Sequence, residues 1–178
     1  MGRRLSTLVV ITGPIGAGKS TVAARLTRRF ARDAGLSVAN VDLDDVAFMQ
    51  AGLDDVPELW RRAGLAHVAM VRAWFDSGVD VVVAHGPFFE SRSYDELFAT
   101  ATDVHHVLLR IDYDTALARV TADSDRGISK DPGFLRMTHD AFAAIEPTLP
   151  SVDLVIETAE LTADGVADRI YESTPRSS

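Results

Sequence analysis

The chain has 178 residues, 47% of them apolar and 25% charged, and an excess of 26 acidic over 18 basic side chains gives a net charge of -8. That length suits one domain with a single core, and the composition is that of a globular chain rather than a disordered or fibrous one. The acidic balance argues against nucleic acid or an anionic membrane as the main partner, and the absence of cysteine excludes disulfides, thiolate zinc sites and cysteine nucleophiles.

The first element expected is a buried strand, Leu8 to Thr12, with no charge in it. The arginines before it and the apolar run itself resemble the start of a signal peptide, but the run breaks at Gly13-Pro14 without a cleavage pattern. No stretch reaches 18 apolar residues, so a soluble cytoplasmic protein is expected, as a monomer or small homo-oligomer. Next comes GPIGAGKST, formed by Gly13, Pro14, Ile15, Gly16, Ala17, Gly18, Lys19, Ser20 and Thr21, and then a helix with Val22, Leu26 and Phe30 on one face, ending near Gly35.

Further strands are expected at Leu36 to Val41, Val79 to Ala84, Val104 to Ile111 and Val152 to Ile156, each a Val, Ile and Leu-rich run. Between them, helical spacing predicts Pro57 to Gly78, with Leu59, Ala63, Ala66, Met70 and Trp74 on its apolar face. It also predicts Asp114 to Asp123, Phe134 to Glu146, and a last helix capped by Thr162. The alternation is that of an α/β fold, a five-stranded parallel sheet with helices on both faces.

GPIGAGKST satisfies G-x-x-x-x-G-K-[ST] between a strand and an amphipathic helix, the context in which that spacing holds phosphate. Glycines let backbone N–H groups curl around phosphate oxygens, the helix N-terminus adds partial positive charge, Lys19 reaches the outer phosphates and Ser20 can ligate Mg²⁺. At the end of the second strand, NVDLDD brings Asp42 and Asp44 to the same crevice, because ligands sit outside the carboxyl ends of the strands in a doubly wound sheet. One aspartate can orient an acceptor hydroxyl while another holds Mg²⁺; the alternative is a solvated acidic turn in which Asp45 caps the next helix. No N-K-x-D segment marks a GTP switch, and the third run closes with His85 in VVVAHGPFF rather than with an acid.

On GPIGAGKST, the D-x-D of Asp42 and Asp44, LLRIDYDTALARVTADSDR and VDLVIET, most of the chain resembles the small P-loop kinases: the shikimate and gluconate kinase group, nucleoside monophosphate kinases and chloramphenicol phosphotransferase-like enzymes. That resemblance implies the P-loop NTPase three-layer sandwich over residues 1–178, a lid at about 122–134 after strand four, and an acceptor-binding region at about 42–78. It places Arg119 near the adenine and Arg126 in the lid at the transferring phosphate. Pairing of Arg119 with Asp123, or of Arg126 with Asp125 or Asp131, is the competing expectation.

The expected activity is ATP- and Mg²⁺-dependent transfer of a γ-phosphoryl group to a hydroxyl of a small metabolite or natural product such as an antibiotic. Lys19 and the loop hold phosphate, Ser20 and Asp42 hold Mg²⁺, Asp44 is the base and Arg126 closes on the transition state. GTP as donor stays open. The acceptor side draws on Phe48, Met49, Trp60, His67, Met70, Trp74, Phe88, Phe89, Glu90 and Arg92, although Met70, Trp74 and Phe75 fit the core better than a pocket, and His67 within its helix reads rather as structural or exposed. His85 is placed at the acceptor or a Mg²⁺-bound water, and Arg61, Arg62 and Arg72 face solvent. His105 and His106 read as structural. The rival expectation is a nucleotide-binding regulatory protein, or slow ATPase, without a small-molecule acceptor.

Overall fold

The computed structural model describes residues 6–52, 54–88 and 91–175. Five strands form one sheet: β1 (Thr7–Thr12), β2 (Val38–Asp42), β3 (Val81–His85), β4 (Asp103–Arg110) and β5 (Leu154–Glu157). Their order is β2-β3-β1-β4-β5 and every neighbouring pair is parallel. Among the described residues the α-helices are α1 (Lys19–Asp33), α2 (Leu43–Phe48), α3 (Val56–Asp76), α4 (Ser91–Phe98), α5 (Tyr113–Ala122) and α6 (Pro132–Ile145) between the strands, and α7 (Ala163–Ser173) after the last.

β1 is central, and Leu8, Val9, Val10 and Ile11 are wholly buried because helices cover both faces. Successive side chains alternate between the faces. Val9 and Ile11 pack with Leu26 and Phe30 of α1 and Ile170 and Tyr171 of α7, while Leu8 and Val10 pack with Val41, Val71 of α3, and Tyr94 and Leu97 of α4. Burying each large aliphatic side chain contributes about 1.5–3 kcal/mol, so the two layers fix β1 and the loop that leaves it.

The structure departs from the sequence reading in instructive places. β2 runs one residue beyond the expected Val41, to Asp42, while β3 ends in His85, the residue expected to close the third run. The six-residue α2 and the eight-residue α4 were not expected. On α3 the buried face is Ala63, His67, Val68 and Val71, about one position round from the expected stripe. Ala66 is exposed and Trp74 is 43% exposed, while Met70 and Phe75 pack half-buried against the core. His67 replaces an aliphatic residue there because Val41 O accepts a hydrogen bond from its Nε2 at 3.2 Å.

Candidate functional site

The loop from Gly13 to Gly18 is shaped by glycine. Gly13, Gly16 and Gly18 have φ of 149°, 86° and 90°, which other L-residues adopt only under strain. A Cβ on Gly13 would overlap the carbonyl oxygen of Leu109, and one on Gly16 would lie 2.8 Å from Cβ of Ala116. The loop is thus pressed against β4 and α5 at the places where it carries no side chain. Gly18 leads into α1 without any side-chain cap, so the first N–H groups of a 15-residue helix face the loop's interior.

Lys19 Nζ donates to the carbonyls of Gly13 at 2.8 Å and Pro14 at 3.1 Å. Burial lowers its pKa to about 8 against the opposing pull of Asp44 and Asp42, and the charge of Arg126 lowers it further. From the other side, burial raises the Asp44 carboxyl, helped by Asp42 and resisted by Lys19 and Arg126. The four charged groups therefore share one electrostatic neighbourhood at the carboxyl ends of β1 and β2.

Asp42 holds three relationships at once. Its Oδ1 accepts from the backbone N–H of Asp44 at 2.9 Å, capping α2; its Oδ2 accepts from Ser20 Oγ at 3.3 Å and lies 3.5 Å from Nδ1 of His85. The cap expected at Asp45 thus belongs to Asp42, and Asp45 is exposed. His85 is buried, and its pKa is pulled down to about 4 by burial and then by the Lys19 charge, so the ring is neutral near pH 7.

Arg119 does not pair with Asp123. It donates to the carbonyls of Thr158 at 2.6 Å, Ala159 at 3.2 Å and Gly16 at 3.4 Å, and to Thr158 Oγ1 at 3.3 Å. The guanidinium is thereby fixed beside a cleft of about 320 Å³ lined by Gly16, Gly18, Thr21, Arg126, Thr158 and Leu161, among others. Arg126 pairs with Asp123 at 3.2 Å rather than with Asp125 or Asp131. Its segment holds one 3-10 turn, Ile128–Lys130, before α6.

Two contributors escaped the sequence reading. Nε2 of His139 on α6 donates to the carbonyl of Ile15 at 2.8 Å, tying α6 to the loop from Gly13 to Gly18. Thr158, directly after β5, provides two of the four acceptors for Arg119. His139 belongs to no motif, whereas Thr158 follows a strand's carboxyl end, where such sites are expected.

Of the side chains expected near an acceptor, Phe48 and Met49 at the end of α2 are 77% and 73% exposed, while Phe88 and His67 lie in the core. Arg61 and Arg62 are exposed and both donate to Glu58, at 2.6–2.8 Å. Phe89 and Glu90 lie outside the described residues, as does the side chain of Arg92. His105 and His106 are buried, with His105 bonded to Ser173 and His106 beside Ser151 and Asp153.

Among solved structures, three neighbours align along nearly the whole chain. A shikimate kinase from Acinetobacter baumannii in complex with shikimate is 20% identical at a TM-score of 0.68, covering 94% of this chain and 92% of its own. The fold is that of the small P-loop kinases. A shikimate kinase from Bacteroides thetaiotaomicron (18%, TM-score 0.64, 93% and 97%) and a tunicamycin resistance protein from Deinococcus radiodurans (16%, TM-score 0.66, 94% and 94%) share this P-loop kinase architecture. No protein-family profile matches the sequence, and no curated protein does.

The residues at the loop suit a polyphosphate with a hard divalent cation. The glycine curl leaves room where side chains would intrude, and a hydroxyl and a carboxylate 3.3 Å apart offer hard oxygen ligands. No cluster of three or more His, Asp or Glu that could hold a metal occurs among the described residues. No helix among the described residues is long and apolar enough to cross a membrane.

Proposed function

We propose that the protein is a phosphotransferase that moves the γ-phosphoryl group of ATP, with Mg²⁺, to a hydroxyl of a small, partly apolar organic molecule. The observation that supports this reading is geometric: Ser20, next to Lys19 in the glycine-rich motif, donates to Asp42 Oδ2 at 3.3 Å, and Asp42 Oδ1 accepts from the backbone N–H of Asp44 at 2.9 Å. A motif for phosphate and a residue for an acceptor thus open on one crevice.

In this reading the chain acts as one kinase domain. The loop amides from Gly13 to Thr21 cradle the phosphates, and Lys19 swings from the loop carbonyls to the outer phosphates. Ser20 and Asp42 hold Mg²⁺, which when bound neutralises charge building on the phosphate oxygens. Asp44, its affinity for protons raised by burial, takes the proton of the attacking hydroxyl. Arg126 leaves Asp123 as the segment near 122–134 closes, adding positive charge to the equatorial oxygens and excluding water. Arg119 supports the base of the nucleotide.

For the acceptor, the exposed Phe48 and Met49 beside Asp44 favour an apolar surface, and the engagement of Arg61 and Arg62 with Glu58 disfavours a site built to clamp a compact carboxylate such as shikimate. A natural product such as an antibiotic fits this pattern, and the fold shared with a tunicamycin resistance protein is compatible with it. The test is a mass-spectrometric screen of hydroxyl-bearing metabolites and antibiotics with ATP and Mg²⁺, looking for the added mass of one phosphoryl group. Replacing Lys19 with Ala should abolish the gain; retained transfer contradicts the mechanism. The end of β3 in His85 rather than an acid favours the second reading, a regulatory or slow ATPase, which predicts no acceptor and hydrolysis indifferent to Asp44→Asn.

A further inference from the structure

His85 closes β3 with 1% exposure, and its two ring nitrogens face different partners. Nε2 lies 3.0 Å from Oδ1 of Asn40, whereas Nδ1 is buried without a hydrogen bond, 3.5 Å from Oδ2 of Asp42. Register brings the three together. Asp42 of β2 is the parallel partner of His85 of β3, and Asn40, two residues earlier, shares its face of the sheet.

Where the ring proton sits decides what this cluster can do. A proton on Nε2 serves Asn40 Oδ1 but leaves Nδ1 presenting a lone pair to a carboxylate, acceptor against acceptor. A proton on Nδ1 donates to Asp42, and Nε2 then accepts from the Asn40 amide turned by half a rotation. The oxygen and nitrogen of an exposed Asn exchange places at little cost, and their assignment follows the hydrogen-bond network. For a neutral ring only the second arrangement gives both buried nitrogens a partner.

We propose that His85 is a positioning residue whose Nδ1–H holds the Asp42 carboxylate, keeping Oδ2 turned to Ser20 and Oδ1 on the cap of the helix that carries Asp44. The proposal rests on the phosphotransferase reading, in which Ser20 and Asp42 hold the cation and Asp44 is the base. One imidazole on the strand beside β1 then aligns the metal side and the acceptor side together. As a hydrogen-bond donor, unlike a second acid at the end of β3, it adds no negative charge next to Asp42.

Two substitutions separate the nitrogens, because an Asn amide reaches the place of Nδ1 and a Gln amide that of Nε2. Mn²⁺ is titrated into the full chain with ADP and followed by electron paramagnetic resonance, with thermal melts confirming folding. His85→Asn is expected to stay within about threefold of wild type, and His85→Gln to bind Mn²⁺ about 10–100-fold more weakly, the usual effect of losing an outer-shell partner. ADP binding without metal should be unchanged in both.

Retention in Gln with loss in Asn puts the proton on Nε2 and overturns the proposal, as do equal effects in both variants, which signal packing alone. Nitrogen–proton correlation spectra of the wild-type imidazoles read the tautomer without metal or turnover. A protonated Nδ1 signal that vanishes in His85→Asn is expected, and an Nε2-protonated pattern overturns the assignment. Acceptor phosphorylation is scored separately. Absent transfer with the Asn/Gln split intact defeats only the kinase reading, and transfer without the split defeats only the role of His85.

Discussion

Arg119 donates from Nη2 to the carbonyl of Thr158 at 2.6 Å, tying the helix after β4 to the chain leaving β5 beside the cleft of about 320 Å³ that both residues line. A cation held by four acceptors is a fixed wall rather than a mobile side chain. Arg119→Ala should weaken ADP binding about tenfold and lower stability by about 1 kcal/mol, since part-buried carbonyls lose their partner. Fluorescence titration with a labelled nucleotide and a denaturant melt check the two numbers. Arg119→Lys, a point charge without the planar fork, should recover only part of either. Unchanged affinity in Arg119→Ala would remove this residue from the nucleotide site.

The loop glycines should differ in what they tolerate. Gly16→Ala meets Cβ of Ala116 at 2.8 Å as well as a φ of 86°, and should lose nucleotide binding and about 2–4 kcal/mol of stability. Gly18→Ala meets nothing within 4 Å and bears only the cost of its left-handed backbone, about 1–2 kcal/mol. Urea midpoints of the two variants test the order. A larger loss at Gly18 would mean that contact with α5 is not what fixes the loop.

How much of this was legible in the sequence depends on the range of the interaction. GPIGAGKST and the alternation of strands and helices are local patterns, and both hold in the structure. Thr162 caps α7 as its position before an amphipathic run suggested. The pairing of Asp42 with His85 is not local. It follows from β2 lying beside β3 in a given register, which no spacing along the chain encodes. The six residues of α2 are too few to show a helical period, so its cap at Asp42 was hidden. On α3 the expected stripe left His67 out, because a polar residue does not count toward an apolar period, whereas a hydrogen bond to Val41 makes it an acceptable core residue. The partner of Arg126 is Asp123, rather than the nearer Asp125, because Asp123 ends α5 and the chain turns back over it.

Acid should loosen the fold through His67. Burial lowers its pKa from 6.5 to about 4, so the unfolded chain binds a proton that the folded chain refuses. Its contribution is complete above pH 6.5 and is lost as pH falls toward 4, by about 1.4 kcal/mol per unit within that window. Urea melts at pH 7, 6 and 5 on the wild type and His67→Gln, which keeps a donor for Val41, should show a shallower decline in the variant. Parallel declines would assign the acid sensitivity to other groups.

His139 should govern the order of the loop more than global stability. His139→Ala removes the donor to Ile15 and should cost about 1 kcal/mol, while amide exchange at residues 13–18 accelerates about tenfold and exchange in β1 stays slow. Equal protection of the loop in both proteins would show that the link from α6 is incidental.

The fate of the γ-phosphoryl group tests the central claim most directly. Once an acceptor is found, ATP is turned over in heavy-oxygen water with Mg²⁺, and the phosphorylated product and free phosphate are analysed by mass. The phosphotransferase account predicts a phosphorylated acceptor free of label and stoichiometric with ADP, with formation abolished in Lys19→Ala and strongly reduced in Asp44→Asn. ADP accompanied only by labelled inorganic phosphate, at a rate indifferent to both acceptor and Asp44→Asn, would contradict it.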